Sequence, residues 1–134
     1  VTLIDTNVLL DILSDDPNWR VWSVDRLHER TEHGPLLIND VIYAELSSRY
    51  STEKLLDEKI LRLNVRLERI PKHALFLAGH AFERYRRTGG TRTGVLPDFF
   101  IGAHAEVAQL PILTRDVGRY RTYFPKVKLI APEQ

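Results

Sequence analysis

Four carboxylates, Asp5, Glu45, Asp98 and Asp116, carry the chemistry for which this sequence can be read. Two of them stand where a carboxylate is costly. Asp98 is the only acid between Glu83 and Glu106, and it precedes the apolar run Phe99-Phe100-Ile101-Gly102-Ala103. Its face continues through Ile101, Gly102 and Ala105, and the small residues leave room for a close neighbour. Glu45 stands in Val41-Ile42-Tyr43-Ala44-Glu45-Leu46, where helical spacing groups it with Val41 and Ile42 on the expected core side. Desolvating a carboxylate costs several kcal/mol unless it is paired or bound to metal. Four acids in one cleft would repel one another, and some would hold a proton near neutral pH. A divalent cation removes that conflict, and oxygen-only ligands favour Mg²⁺ or Mn²⁺ over Zn²⁺. The chemistry suited to such a site is phosphoryl transfer, in which the metal activates a water and stabilises the attacking and leaving oxygens. Taken singly, Asp5, Asp98 and Asp116 each also read as helix caps. Spacing alone leaves the cap and metal readings both open.

Other chemistries are disfavoured. The chain of 134 residues has no cysteine, which removes disulfides, thiolate zinc sites and cysteine nucleophiles together and suits a reducing cytoplasm, the expected location. The histidines (His28, His33, His73, His80, His104) show no metal-type spacing and suggest no acid–base pair for a metal-free ribonuclease. A phosphatase with an aspartate nucleophile would need a second Asp two residues after Asp5, where Asn7 stands. The fractions of 43% hydrophobic and 28% charged residues are ordinary for a globular chain. No apolar run approaches the ~20 residues of a membrane span, so no membrane partner is expected. Val1–Asp5 lacks a basic region and a long apolar core and does not read as a signal peptide. The net charge of +1 is unevenly placed: residues 1–61 carry twelve acids and six bases, the remainder six acids and thirteen bases. Such asymmetry fits an acidic site beside a basic one, or merely sequence halves that are not spatial halves.

The elements that must position the acids follow from periodicity. Val1–Ile4 reads as a buried strand ending at Asp5, with Thr6 and Asn7 leading into a short helix. A helix is expected from about Asn18 to Thr31, stopped by Gly34-Pro35, then a strand over Leu36–Ile38. Asn39-Asp40 begins a helix to about Tyr50, and Ser51-Thr52 caps another through Leu63. Val65–Ile70 reads as a strand, Lys72–Arg87 as a helix, Thr88–Gly94 as a flexible loop, and Pro97 to about Gln109 as a nearly all-apolar helix. Pro111–Thr114 and Val127–Ile130 are the last strands. Short apolar strands alternating with amphipathic helices predict a single α/β domain over residues 1–134. It should be a three-layer α/β/α sandwich around a mostly parallel sheet of four or five strands. Ligands gather at the carboxyl ends of such strands, where Asp5 and Asp116 are expected.

The motifs also resemble a known family. Asp5-Thr-Asn-Val-Leu-Leu-Asp11 is similar to the opening motif of PIN-domain nucleases, Glu45 in YAEL to its second acid, Asp98 in LPDFFIGAHA to its third, and Asp116 in ILTRDVGRYRTYFP to its fourth. The order and spacing of all four agree across essentially the whole chain, most closely with the VapC-type toxins of type II toxin–antitoxin systems. The resemblance implies a Mg²⁺- or Mn²⁺-dependent endoribonuclease, a cognate antitoxin that blocks its active site, and a homodimer. It assigns Asp5, Glu45, Asp98 and Asp116 to catalysis and Asp5 and Asp98 to direct metal ligation. Glu45 and Asp116 act on the metal directly or through water. Thr6, Asn7 and Thr114 are implied to steady the site. A PIN-fold RNA-processing nuclease without a toxin role is the alternative, as is a non-catalytic module that binds RNA or a partner. Retention of all four acids speaks against the last.

If the acids converge, two arginine groups flank them: Arg84, Arg86, Arg87 and Arg92 around the glycine-containing loop, and Arg115, Arg119 and Arg121 around Asp116. Guanidinium forks suit phosphate and give salt-dependent affinity with little sequence preference. Arg86, Arg87, Arg92 and Arg115 are the candidates for RNA contact, against a solvated helix end or pairing with the acids. Trp19, Trp22, Leu55, Leu56, Ile60 and Leu63 suggest either a groove for an antitoxin helix or ordinary core packing.

Overall fold

Buried parallel strands read as continuous apolar runs, because both of their faces must be covered. The computed structural model, which describes residues 1–92 and 94–133, shows five such strands: β1 (Thr2–Ile4), β2 (Leu36–Ile38), β3 (Val65–Leu67), β4 (Ile112–Leu113) and β5 (Leu129–Ile130). They form one sheet in the order β3-β2-β1-β4-β5, and every pairing is parallel. Parallel neighbours need crossover connections. Among the described residues these are made by seven helices: α1 (Thr6–Leu13), α2 (Arg20–Thr31), α3 (Asp40–Ser47), α4 (Glu53–Leu63), α5 (Lys72–Arg87), α6 (Leu96–Ala108) and α7 (Gly118–Tyr123). The expected α/β sandwich is therefore observed, and among the described residues the strand count is the upper of the two values with no antiparallel pair. Among the described residues no helix is long and apolar enough to cross a membrane.

Local chemistry sets the element ends. Asn39 Oδ1 accepts the Val41 and Ile42 N–H groups and starts α3, and Thr52 Oγ1 accepts Leu55 N–H at 3.2 Å and starts α4. Asn64 and Gln109 close α4 and α6 in left-handed backbone, at φ 58° and 56°. The third strand is shorter than the Val65–Ile70 expected, because the Asp40 carboxylate captures Ile70 N–H at 3.2 Å and Arg69 Nε at 2.9 Å. The predicted helix to Tyr50 ends at Ser47. Thr93, within the predicted Thr88–Gly94 loop, lies outside the described residues, as does Gln134.

Sequence periodicity misses α7, whose six residues Gly118-Arg-Tyr-Arg-Thr-Tyr123 show no apolar stripe. Two aromatic anchors hold it instead: Tyr120 is 2% exposed and Phe124 is 3% exposed. Its seat is Gly102 on α6. A Cβ there would collide with the Phe124 ring, so only glycine lets α7 approach this closely. Phe124 joins an aromatic cluster in which Phe99 packs against Phe82, Tyr85 and Tyr123, linking α5, α6 and α7. Gly102→Ala should destabilise the protein by about 1–3 kcal/mol, the usual cost of overpacking, measured as a lower urea midpoint. An unchanged midpoint would mean that α7 is free to move away from α6.

Candidate active site

The strand order places β1 at the switch point of the sheet, with β2 on one side and β4 on the other. The crevice outside the carboxyl ends of such strands is where open α/β sheets bind ligands. Asp5 follows β1 directly, and its N–H donates to Leu113 O of β4 at 2.9 Å. Its extended backbone (φ −68°, ψ 151°) makes it the N-cap of α1. Thr114 and Asp116 follow β4, Glu45 comes from α3, and Asp98 lies in the first turn of α6. Four elements thus deliver the predicted acids to one end of the sheet.

Asp5 is only 5% exposed, and its two oxygens are treated differently. Oδ2 accepts Thr114 Oγ1 and Tyr120 OH, both at 2.8 Å, and a longer contact from Asn7 Nδ2 at 3.4 Å. Oδ1 accepts only Thr6 N–H, at 2.8 Å, among the described residues. Burial pushes the carboxyl up to about 6; the Thr114, Tyr120 and Thr6 bonds hold it down, while the Asp98 charge adds to the rise. Thr114 has one hydroxyl proton, and the shorter contact takes it to Asp5. Its oxygen then accepts Asp116 N–H at 3.0 Å and Asn7 Nδ2 at 3.2 Å. Asn7 is fixed in this sense because its Oδ1 faces the Arg115 backbone N–H at 3.0 Å, which can only donate. Thr6, Asn7 and Thr114 all touch the acids.

The Glu45 side chain is exposed as a whole, which corrects the expectation that it points into the core. Ile42 and Leu46 are the buried positions of α3, and Glu45 flanks that stripe. Its carboxylate end nevertheless turns inwards, where Oε1 accepts Thr6 Oγ1 at 2.6 Å. Partial burial raises its pKa, the Asp98 charge adds to the rise, and the Thr6 bond opposes it. Asp98 is half-buried and accepts Arg119 Nε at 2.7 Å. Burial raises its pKa, the Arg119 bond and charge restrain it, and Asp116 pushes it further up. The acids are therefore close enough to act on one another: Asp98 on Asp5, Asp98 on Glu45, Asp116 on Asp98.

The donor set fits a hard dication. It is oxygen-only, burial raises the pKa of Asp5, Glu45 and Asp98, and Asp5 Oδ1 accepts a single donor among the described residues. The side chains are not drawn into a closed coordination shell. Among the described residues no group of three or more His, Asp or Glu is gathered to hold a metal. Arg119 instead supplies the positive charge at Asp98.

Two contributors escaped the sequence reading. Tyr120 looks like one more aromatic in Gly118-Arg-Tyr-Arg-Thr-Tyr123, yet its hydroxyl is a buried donor to Asp5. Burial and the Asp5 and Asp98 charges raise its pKa well above 10, so it stays protonated. Arg119 was one of three arginines near Asp116, without a signal to single it out. Of the arginines proposed for RNA, Arg86, Arg87 and Arg92 are exposed near the carboxyl end of α5. Arg115 is turned inwards onto Asp11, at 2.6 and 2.9 Å. His104 is buried; its Nδ1 meets Asn39 Nδ2 at 3.1 Å, and burial lowers its pKa. Leu56 belongs to the core, Trp22, Ile60 and Leu63 pack against it, and Leu55 is exposed.

Solved structures share this fold along nearly their full length. VapBC2 from Rickettsia felis, described as bound to a DNA fragment from the promoter, superposes with a TM-score of 0.74 at 15% identity, covering 98% of each chain. A DNA-bound VapBC from Salmonella typhimurium gives 0.70 at 15% identity, over 97% of this chain and 96% of that one. A toxin–antitoxin complex from Klebsiella pneumoniae gives 0.66 at 19% identity, over 100% and 99%. No curated protein matches the chain. The PIN domain model matches residues 2–125, which span the four acids and the hydroxyls of Thr6, Thr114 and Tyr120, and on that match the chain belongs to the PIN domain family.

Proposed function

We propose that this chain is a Mg²⁺- or Mn²⁺-dependent endoribonuclease and the toxin of a toxin–antitoxin pair. The observation that carries the reading is Asp5: a buried carboxylate at the switch point, held on one oxygen by Thr114 and Tyr120, accepting only Thr6 N–H on the other among the described residues, and close enough to Asp98 to feel its charge. Asp5 and Asp98 would hold the cation, with Glu45 and Asp116 on the rim. When bound, such a cation activates water for attack on a phosphodiester and stabilises the leaving oxygen. The protein's own groups do the remaining work. Thr114, Tyr120 and Asn7 fix the direction of Asp5, and Thr6 orients Glu45. A carboxylate whose pKa is raised, as that of Glu45 is, is the better proton acceptor near neutrality. Arg86, Arg87 and Arg92, which are exposed, would meet RNA phosphates, and Arg115, paired with Asp11, would not. The named VapBC relatives support an antitoxin partner, for which the groove of Ile12, Val24, Leu27, Leu36 and Leu63, edged by His28, Thr31 and Arg62, suits an amphipathic helix. A homodimer follows from the family resemblance.

Purified protein should cleave RNA with Mg²⁺ or Mn²⁺ and not in EDTA. Asp5→Asn should lower the rate by more than about 100-fold, beyond the usual effect of outer-shell changes. Equal cleavage in EDTA contradicts the metal mechanism. Growth arrest on expression should be relieved by the product of the adjacent gene, and absence of arrest by active protein favours an RNA-processing role.

Acid should weaken the cation site. The native pKa of Asp5, about 6, lies above its unfolded value near 3.8, so folded protein holds this proton through that window. In metal-free protein the carboxyl therefore costs stability as pH rises from 4 to 6, and a bound cation must displace the proton. Mn²⁺ affinity by calorimetry should be roughly tenfold weaker at pH 5 than at pH 7.5, where the group is nearly fully ionised. A pH-independent affinity would remove Asp5 from the ligand set.

A further inference from the structure

Arg115 stands next to the fourth acid in the chain, yet its side chain leaves the crevice. Its Nε donates to Asp11 Oδ2 at 2.6 Å and a terminal nitrogen donates to Asp11 Oδ1 at 2.9 Å. This is the two-pronged geometry that only a guanidinium offers a carboxylate. Asp11 is 3% exposed and lies on α1, one helical turn beyond Asn7. Its Oδ2 also accepts Ser23 Oγ of α2 at 2.7 Å. The Arg115 guanidinium is covered by Trp19, with its carbon 4.9 Å from the ring centroid, and Trp19 is braced edge-on by Trp22. A buried carboxylate, a fork, a hydroxyl and an indole thus pin the segment after β4 to α1 and α2.

The consequence lies at the backbone of the same residue. Arg115 N–H donates to Asn7 Oδ1 at 3.0 Å, and that bond turns the Asn7 amide so that Nδ2 points at Thr114 Oγ1 and Asp5 Oδ2. Thr114, immediately before Arg115, gives its own proton to Asp5. We propose that the Asp11–Arg115 pair is the clamp that holds Asn7 and Thr114 in register on Asp5, making Asp11 and Arg115 positioning residues for the cation site rather than contacts to RNA. The proposal rests on the metal-nuclease reading above. Outer groups that orient a ligating carboxylate typically alter metal affinity or activity by 10–100-fold.

The test compares wild type with Asp11→Asn, which keeps the shape and removes the charge, and Arg115→Lys, which keeps the charge and removes the fork. Mn²⁺ binding is titrated calorimetrically in the absence of RNA, folding is checked by circular dichroism, and cleavage kinetics are measured across Mn²⁺ concentrations. Both variants should bind Mn²⁺ about tenfold or more weakly, with kcat falling at low metal and KM for RNA unchanged. A second, milder variant, Ser23→Ala, leaves the ion pair in place and should weaken Mn²⁺ binding in the same direction even if a charge variant fails to fold. Unchanged Mn²⁺ affinity with only a lower Tm overturns the clamp and leaves a stability element. A raised KM in Arg115→Lys, with Mn²⁺ affinity and Asp11→Asn kinetics as in wild type, overturns it in favour of an RNA contact. Wild type that binds no Mn²⁺ removes the metal-nuclease reading itself, which distinguishes that failure from a failure of the clamp.

Discussion

A carboxylate at the end of a buried strand must be solvated by something, and at Asp5 the solvent is the protein. Thr114, Tyr120, Asn7 and Thr6 replace the water that burial removes. They do so incompletely, since desolvation still raises the pKa to about 6. Much of the surrounding architecture follows from supplying those donors. Thr6 and Asn7 come from the start of α1, Thr114 from the end of β4, and Tyr120 from a short helix that has little reason to form on its own.

That short helix shows how packing at a distance reaches the chemistry. Gly102 lets Phe124 press onto α6, and this docks α7 so that two successive residues face the crevice. Tyr120 reaches Asp5 and Arg119 reaches Asp98. One donor is neutral and permanent; the other is charged and competes for the position a cation would take. Asp98 is thereby kept from standing as an unpaired, half-buried charge, which would be costly.

Legibility in the sequence divided along physical lines. The strands and long helices could be read because burial on both faces imposes apolar runs and burial on one face imposes a stripe; Lys72–Arg87 was placed to the residue. The four acids at this end of the sheet were singled out in the sequence, Asp98 from its apolar surroundings and the set from its motifs, and their role in a site is the proposal made above. The α7 helix was not, because its stability lies in contacts with α6 that no local period announces. Glu45 was misjudged because it sits at the edge of the α3 stripe, where a small rotation separates buried from exposed. Tyr120 and Asp11 were invisible as partners for the same reason: their hydrogen bonds cross 115 and 104 residues of chain. Arg115 looked available for RNA in the sequence and is paired with the buried Asp11 in the fold.

The central claim is that Asp5 and Asp98 share a divalent cation. Anomalous diffraction from crystals soaked in Mn²⁺ tests it most directly. The account predicts a manganese peak in contact with Asp5 Oδ1 and an Asp98 oxygen, with the Arg119 guanidinium displaced from Asp98. Manganese bound elsewhere, with Asp5 free of it and the Asp98–Arg119 pair intact, would contradict it.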